Sequence, residues 1–168
     1  MTLARSTIED AIYNVIIAAG SNTNVIFEYP NAPRPQFPYT SIKFMSVGKS
    51  INPWKQFDNA AGIVRYWECR PMTYRLHCYS DDVLEAFDEA SLIQGALVKY
   101  EIRKILSDAA PMSIQSFSDI LNATVLIDDA YEHRSTFDIN FDVMIENGTT
   151  TEDFGYFQAA GPVEWSGI

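Results

Sequence analysis

Two cysteines and two histidines are the residues of this 168-residue chain best suited to nucleophilic or metal-binding chemistry: Cys69, Cys78, His77 and His133. His77 and Cys78 are neighbours in a segment with strand-like alternation, so their side chains are expected on opposite faces of a sheet. That arrangement does not suit a thiol activated by an adjacent base. Cys69 and His77 share a face by the same alternation and remain an alternative pair. Because the cysteine spacing also differs from that of zinc knuckles, we expect neither a catalytic dyad nor a metal site.

Other patterns that would indicate an enzyme are missing from the sequence. No glycine-rich loop joins a predicted strand to a predicted helix, as nucleotide-binding motifs require. The carboxylate pairs Asp128–Asp129 and Glu152–Asp153 lie in predicted loops, where they are interpreted as solvated charges. The sequence therefore predicts no catalytic residue, no metal and no cofactor, and it favours a binding or structural protein.

The composition is that of one folded domain, with 47% hydrophobic, 20% charged and 13% aromatic residues. No stretch approaches the roughly 18 uncharged apolar residues that a membrane-spanning helix needs. The start of the chain predicts a capped helix rather than a signal peptide. We therefore expect a soluble protein of intracellular origin with no membrane association.

Charge is distributed unevenly along the chain, which has a formal net charge of −10. Residues 1–80 hold eight basic and five acidic side chains, a net charge of +3, whereas residues 81–168 hold four basic and seventeen acidic ones, a net charge of −13. An acidic total argues against an extended basic face that binds nucleic acid. The split indicates two electrostatically different surfaces of one domain.

Hydrophobic periodicity predicts two helices and several strands. A capping box at Ser6 and Glu9 begins a first helix that ends at Gly20, and a second, longer helix runs from Asp82 to about Leu106. Strands are predicted at 24–29, 39–47, 63–79 with a bend or bulge at Pro71, 123–127 and 136–146. Residues 48–62, with their Gly, Asn-Pro and Asp-Asn signals, are interpreted as a long connection.

These elements predict an α+β fold with one domain over residues 1–148. Its mostly antiparallel sheet would carry two helices on one face and a long β-hairpin loop. Residues 149–168, rich in Thr, Gly, acids and aromatic side chains, would form an extended C-terminal arm or a final strand.

Two motifs carry a resemblance to a known family. One is the proline run before the second strand, and the other is the start of the last long strand: Asn31-Ala32-Pro33-Arg34-Pro35 followed by Phe37-Pro38-Tyr39, and Glu132-His133-Arg134 followed by Phe137-Asp138-Ile139-Asn140-Phe141. The chain thereby resembles the neck or tail terminator proteins of tailed bacteriophages, with their NxPRPxxPY and Phe-Asp-Ile-x-Phe patterns. The order of predicted elements is also similar.

The resemblance implies a structural virion protein of the tail neck, assembled in the cytoplasm of a host bacterium. It would form a ring, expected to be six-fold, that caps the tail tube and joins it to the head-side connector. Its partners would be itself, the tail tube protein, the head–tail connector protein and the sheath protein where one exists, and DNA would pass through without specific binding. Two alternatives are another connector or tail-completion subunit, and a small-molecule-binding or enzymatic α+β domain with a pocket between sheet and helices.

Two groups of candidate site residues follow. Residues expected at subunit or partner interfaces combine the constrained proline run with large aromatic side chains: Arg34, Pro35, Tyr39, Trp54, Phe57 and Trp165. Acids expected to line a DNA passage come from the second helix and from the polar face of the last long strand: Glu85, Asp88, Glu89, Asp138, Asp142 and Glu146. An acidic lining would repel phosphates and so keep DNA from sticking.

Overall fold

The structure of this chain is a computed structural model that describes residues 5–21, 24–28, 35–58, 63–127 and 130–151. Three helices and eight strands occur within these ranges. In chain order they are α1 (Arg5–Ala18), β1 (Asn24–Phe27), β2 (Tyr39–Val47), β3 (Ile51–Asp58), β4 (Ile63–Ser80), α2 (Val83–Leu97), α3 (Tyr100–Ala109), β5 (Met112–Phe117), β6 (Leu121–Asn122), β7 (Val125–Ile127) and β8 (Ala130–Thr151).

All eight strands belong to one open sheet built around two long strands. Its order is β1-β2-β4-β8-β5, with β3 pairing with β4 and with β6 and β7 pairing with β8. The 18-residue β4 and the 22-residue β8 pair antiparallel from Ile63 opposite Thr151 to Ser80 opposite His133. Only β1 and β2 pair in parallel among the described strands. The predicted α+β class with a mostly antiparallel sheet is therefore confirmed.

Alternating side chains of the two long strands place an apolar surface against the helices. Phe137, Ile139 and Phe141 of β8 are almost completely buried, and each fully buried side chain of this size contributes about 1.5–3 kcal/mol. The opposite alternation, which includes Thr73, Arg75 and Asp138, forms the polar face of the sheet. The core is completed by side chains from the other strands and the helices, among them Ile8, Ile12, Val15, Ile16, Ile42, Met72, Tyr74, Leu76, Cys78, Ala90, Ile93, Leu97, Leu106 and Val143.

The expectation of two helices is wrong, because the predicted second helix is two helices. The helical path stops after Leu97, and Lys99 adopts an extended backbone (φ −72°, ψ 141°) before α3 begins. Hydrophobic spacing continues across this break, and residues 98–99 contain neither glycine nor proline, although Gly95 lies in the last turn of α2. The pattern alone therefore predicts one continuous helix.

The long connection expected over residues 48–62 is also wrong in its main part. Residues 51–58 form β3, which pairs with β4 beyond the end of β2. Pro53 is compatible with a strand here because β3 lies at the sheet edge, where a missing N–H breaks no ladder. The segment after α3, expected to be a loop up to Ala123, likewise contains the strands β5 and β6.

Of the bend or bulge expected at Pro71, the bulge does not occur. β4 keeps its register with β8 through Pro71, which lies opposite Asp142. On its other side Pro71 lies in the gap between β2 and β3, where the Gly48 N–H donates a hydrogen bond to its carbonyl at 2.7 Å. A Cβ at Gly48 would lie 2.5 Å from the Pro71 Cγ, so glycine permits this close approach. No residue of β2 or β3 is paired with Pro71 on this side, so the lack of an N–H at Pro71 removes no hydrogen bond from the sheet.

β8 is longer at both ends than the expected strand over 136–146. It begins at Ala130 and continues to Thr151, so the expected domain boundary at residue 148 falls inside the strand. Residues 152–168 lie outside the described ranges, and the expected C-terminal arm or final strand falls mainly on them.

Candidate assembly surfaces

An arm of three strands extends the sheet beyond the hydrophobic core. We define the arm as β3, residues 63–70 of β4 and residues 144–151 of β8. The β4 residues of the main core cluster begin at Met72, and those of β8 end at Val143. Val64 is buried beyond this point, but each face of the arm also carries exposed apolar side chains, which makes the arm a candidate contact surface.

Trp54 lies on one face of the arm, stacked on Trp67 of the neighbouring strand. The ring centroids are 6.5 Å apart with an interplanar angle of 15°. Trp54 is 39% exposed, and Ile51 and Met144 are exposed on the same face, opposite Cys69 in the strand register. The sequence predicts Trp54 as an interface residue but does not indicate Trp67, because the pairing register of β3 is not visible in the pattern.

Phe57 lies on the opposite face of the arm and is 53% exposed. It is paired with Val64, and next to it Lys55 lies over the ring of Tyr66 at 5.3 Å from the centroid. Trp54 and Phe57 therefore form two separate apolar surfaces rather than a single patch. A partner that contacts one of them need not contact the other.

Tyr39, the other described aromatic residue of the expected interface, is buried within the protomer. Its ring stacks between Phe37 at 5.7 Å and Tyr79 at 4.4 Å. Pro35 is half-buried at the start of this segment, and Phe37 is exposed. Arg34 and Trp165 lie outside the described residues.

The acids of the last strand face basic residues of the same protomer. Asp138 accepts two hydrogen bonds from Arg75, from Nε at 2.6 Å and from Nη2 at 2.9 Å. The Arg75 guanidinium holds the pKa of the Asp138 carboxyl below its usual range, against the opposing effect of partial burial. Glu146 is buried and pairs with Arg65 at 3.2 Å. Two of the three expected lining acids of β8 are thus already paired inside the molecule.

Asp142, the third acid of this row, is half-buried beside the arm. Its Oδ1 is buried without a hydrogen-bond partner among the described residues. Burial raises the pKa of the nearby Cys69 thiol, and the charge of Asp142 raises it further. The row therefore presents little unpaired carboxylate to solvent.

The acids of α2 lie at its exposed N-terminal half. Glu85 and Asp88 are exposed, and Glu85 accepts a hydrogen bond from Ser80 Oγ at 2.9 Å. Glu89 is half-buried and accepts a hydrogen bond from Ser21 Oγ at 2.6 Å. All three line a pocket of about 380 Å³ whose other walls include Pro38 and Tyr79. The sequence has no basic side chain between residues 76 and 98, so this end of the helix is strongly negative.

The cysteines and histidines do not form a reactive group. Cys78 points into the core, where burial raises its pKa to about 12, while His77 lies on the polar face, as expected. Cys69 and His77 are eight residues apart along β4, which is about 26 Å in an extended strand. No group of three or more metal-ligating side chains comes together within the described part of the chain. None of the four described pockets, of 190–460 Å³, is lined by His77 or His133.

The described part of the chain has no helix that is both long and apolar enough to cross a bilayer.

A comparison with solved structures agrees with this architecture. No curated protein sequence matches the chain. A similar solved structure is the sheath/tube terminator of an extracellular contractile injection system, PVC, in its extended state. The two share 13% sequence identity and a TM-score of 0.52, over 90% of this chain but only 61% of that chain, so the likeness is one of fold.

A comparison with models of protein families identifies the family of this chain. Residues 6–164 match the family described as phage neck terminator protein, which is nearly the whole chain. Residues 6–164 span both motifs that carry the resemblance, the arm and α2. The chain belongs to the phage neck terminator protein family.

Proposed function

We propose that this neck terminator protein forms a ring, expected to be six-fold, that caps the tail tube and joins it to the head-side connector. It is a structural component of the phage tail, and we infer that it acts without catalysis. The tail tube protein and the head–tail connector protein are its proposed partners. The sheath protein is a third, because the similar solved chain is a sheath/tube terminator.

The arm is the observation that carries this proposal. Its strands continue past the core, and its faces carry exposed Trp54 and Phe57, whose apolar surface a compact monomer would bury. Large aromatic side chains are enriched among the residues that dominate protein–protein contacts. Because the two residues lie on opposite faces, one arm can contact a neighbouring subunit on one side and the tube on the other. This arrangement suits a protomer held between ring neighbours and tube.

We further propose that the acids of α2 line the DNA passage. Glu85 and Asp88 are exposed, whereas Asp138 and Glu146 are paired with arginines and present less net charge. Repeated around a ring, exposed carboxylates would repel phosphates and prevent the polyelectrolyte contacts that hold DNA. Asp138, Asp142 and Glu146 stay a second candidate lining.

The arm is tested by replacing both aromatic residues in the full chain, as Trp54→Ala with Phe57→Ala. We expect a folded monomer that no longer forms rings on purified tail tubes, measured by circular dichroism, mass photometry and electron microscopy. The matched control replaces two exposed leucines at the other end of the sheet, Leu121→Ala with Leu126→Ala, and should leave ring formation unchanged. Normal capping by the arm variant, or equal loss in the control, would contradict the proposal.

A further inference from the structure

A basic strip occurs on α3 inside the otherwise acidic half of the chain. Three of the four basic side chains after residue 80 lie within six residues: Lys99, Arg103 and Lys104. Arg103 and Lys104 are exposed on the same side of the helix as Tyr100, which is 75% exposed. Lys104 pairs with Asp108 at 2.6 Å, and the Arg103 Nε donates a hydrogen bond to the Leu97 carbonyl at 3.1 Å, so Lys99 and Arg103 carry most of the remaining positive charge of the strip. Positive charge beside an exposed aromatic ring points to an acidic partner that also carries apolar side chains.

The strip runs beside an open edge of the sheet. β5 is the last strand in the sheet order, and no described strand pairs with its outer edge. Between α3 and β5 lies a pocket of about 190 Å³, lined by Tyr100, Arg103, Lys104, Ser107, Met112, Ser113 and Ile114. This volume is below the range of small-molecule sites, about 300–1,000 Å³, and is suited to a single large side chain. An extended segment added to β5 would place alternate side chains over this pocket.

We infer that this edge binds residues 152–168 of a second copy of the chain. These 17 residues contain three acids and no basic side chain, so their charge complements the strip. They also contain aromatic side chains that could fill the pocket: Phe154, Tyr156, Phe157 and Trp165. The inference rests on the proposed ring, which brings copies together, and it assigns a strand-exchange contact to that ring.

The sheet topology favours a second copy over the same chain. β8 ends at Thr151 at the tip of the arm, and β5 runs antiparallel to β8. A tail that turned back on its own protomer would run along residues 144–151 of β8, on the side of β8 that β5 occupies further along the strand. It would meet the start of β5 end on, at Met112, instead of lying along its outer edge. Fully extended, 17 residues span at most about 60 Å, which is enough to reach a neighbour.

Disulfide trapping in the full chain tests the inference. In a Cys69→Ser background, in which Cys78 is buried, one variant carries Ser113→Cys on β5 and another carries Gln158→Cys in the tail. Mixed and mildly oxidised, they should give a disulfide-linked heterodimer. A matched control pairs Gln158→Cys with Asn14→Cys, an exposed position on α1, and the β5 pair should exceed it by about tenfold because docking raises the effective concentration. Gln115→Cys provides a second position on β5.

Two further measurements test the inference: the effect of charge reversal on trapping, and whether the disulfide joins two copies or closes within one chain. Adding Arg103→Glu and Lys104→Glu to the β5 variant should reduce trapping to the control level, and raising the salt concentration should weaken it. If neither β5 position exceeds the control while wild-type rings form in mass photometry, the inference is overturned and the proposed function stands. A chain carrying both Ser113→Cys and Gln158→Cys that closes only on itself would also overturn it. Trapping between copies without rings would support the inference and contradict the ring.

Discussion

Folding changes the ionisation of His77. Its side chain is only 6% exposed, and Nδ1 has no hydrogen-bond partner among the described residues. The pKa of His77 is lowered to about 4, mainly by burial; Glu28 opposes this shift, and the charges of Arg134, Arg75 and Lys43 add to it. The ring is therefore neutral in the folded protein at pH 7.

This lowered pKa predicts a loss of stability in mild acid. Between pH 6.5 and pH 4 the unfolded chain binds a proton at His77 that the folded chain does not, so the free energy of unfolding falls as the pH falls. The His77 contribution to this fall is of the order of 3 kcal/mol over the interval. Urea unfolding at several pH values should show a flatter profile for His77→Gln than for the wild type. Identical profiles would contradict the assignment.

Trp54 and Phe57 are expected to differ in their effect on stability. Trp54→Ala removes the stack on Trp67, and aromatic pairs of this kind contribute about 0.5–1.5 kcal/mol beyond the buried area. Phe57 is more than half exposed, so Phe57→Ala should change the free energy of unfolding by no more than about 0.5 kcal/mol. Thermal and urea unfolding of the two single variants would measure this difference. A loss for Phe57→Ala as large as that for Trp54→Ala would contradict this expectation.

At the scale of single residues, the sequence predicts the face of a side chain better than its partner. Alternation places Asp138 on the polar face of its strand and Cys78 in the core, and the structure agrees. The pairing of Asp138 with Arg75 depends on the register between two strands 63 residues apart in the chain, which no local pattern contains. The sequence therefore predicts the strand face on which these acids lie, but it does not predict the arginines that pair with Asp138 and Glu146.

At the scale of elements, the two helices after β4 differ in how they begin. The Asp82 side chain caps α2, accepting hydrogen bonds from the N–H groups of Leu84 at 2.7 Å and Glu85 at 3.2 Å. Lys99 occupies the equivalent position of α3 and makes no side-chain capping bond. A lysine at this end also opposes the helix dipole. The first turn of α3 is therefore weakly stabilised by its own sequence.

Capping substitutions should change stability in opposite directions. Asp82→Ala should lower the free energy of unfolding by about 1 kcal/mol, whereas Lys99→Ser should raise it by about 0.5–1 kcal/mol by supplying the missing acceptor. Urea unfolding of both variants beside the wild type would measure the two shifts. Destabilisation by Lys99→Ser would show that the lysine side chain has a structural role of its own.

The elements that the sequence analysis missed are those at edges and breaks. β3 contains Asn-Pro and has glycines on both sides, signals of turns that an edge strand tolerates because one row of its N–H groups needs no partner. β5 is short and rich in serine, and its pairing with the distant β8 determines its structure. The long strands were predictable in outline because their alternation extends over many residues, as in β4 and β8. Tertiary pairing, not local propensity, accounts for the remainder.

At the scale of the whole molecule, charge separates two surfaces. The start of α2 is acidic, and the strip on α3 is basic although it follows in the same half of the chain. The net charge of −13 for residues 81–168 is therefore not spread evenly over this half of the chain. In the proposed ring this surface would face DNA, and the strip would face the acidic tail of a neighbour.

The passage is tested by reversing charge on α2, with Glu85→Lys and Asp88→Lys in the full chain. If these positions face DNA, the assembled variant gains phosphate contacts, and the log–log slope of affinity against salt should steepen by about 0.9 for each contact. Filter binding of duplex DNA at several salt concentrations would measure the slope, and genome ejection should slow. Glu89 is left unchanged because it is half-buried and accepts a hydrogen bond from Ser21. Glu85 also accepts one, from Ser80 Oγ at 2.9 Å, so urea unfolding of the variant is compared with that of the wild type.

The control for this charge reversal changes the same number of exposed acids elsewhere, as Asp10→Lys and Asp119→Lys. Its net charge equals that of the α2 variant, so a general increase in DNA affinity would affect both equally. Only the α2 variant should slow ejection, since a local contact requires lysines that line the passage. A lysine in the first turn of α2 costs about 0.3–1 kcal/mol through the helix dipole, so ring formation is measured first. Tight DNA binding by wild-type rings at physiological salt, or normal ejection with the assembled α2 variant, would place these acids on the outer surface of the ring.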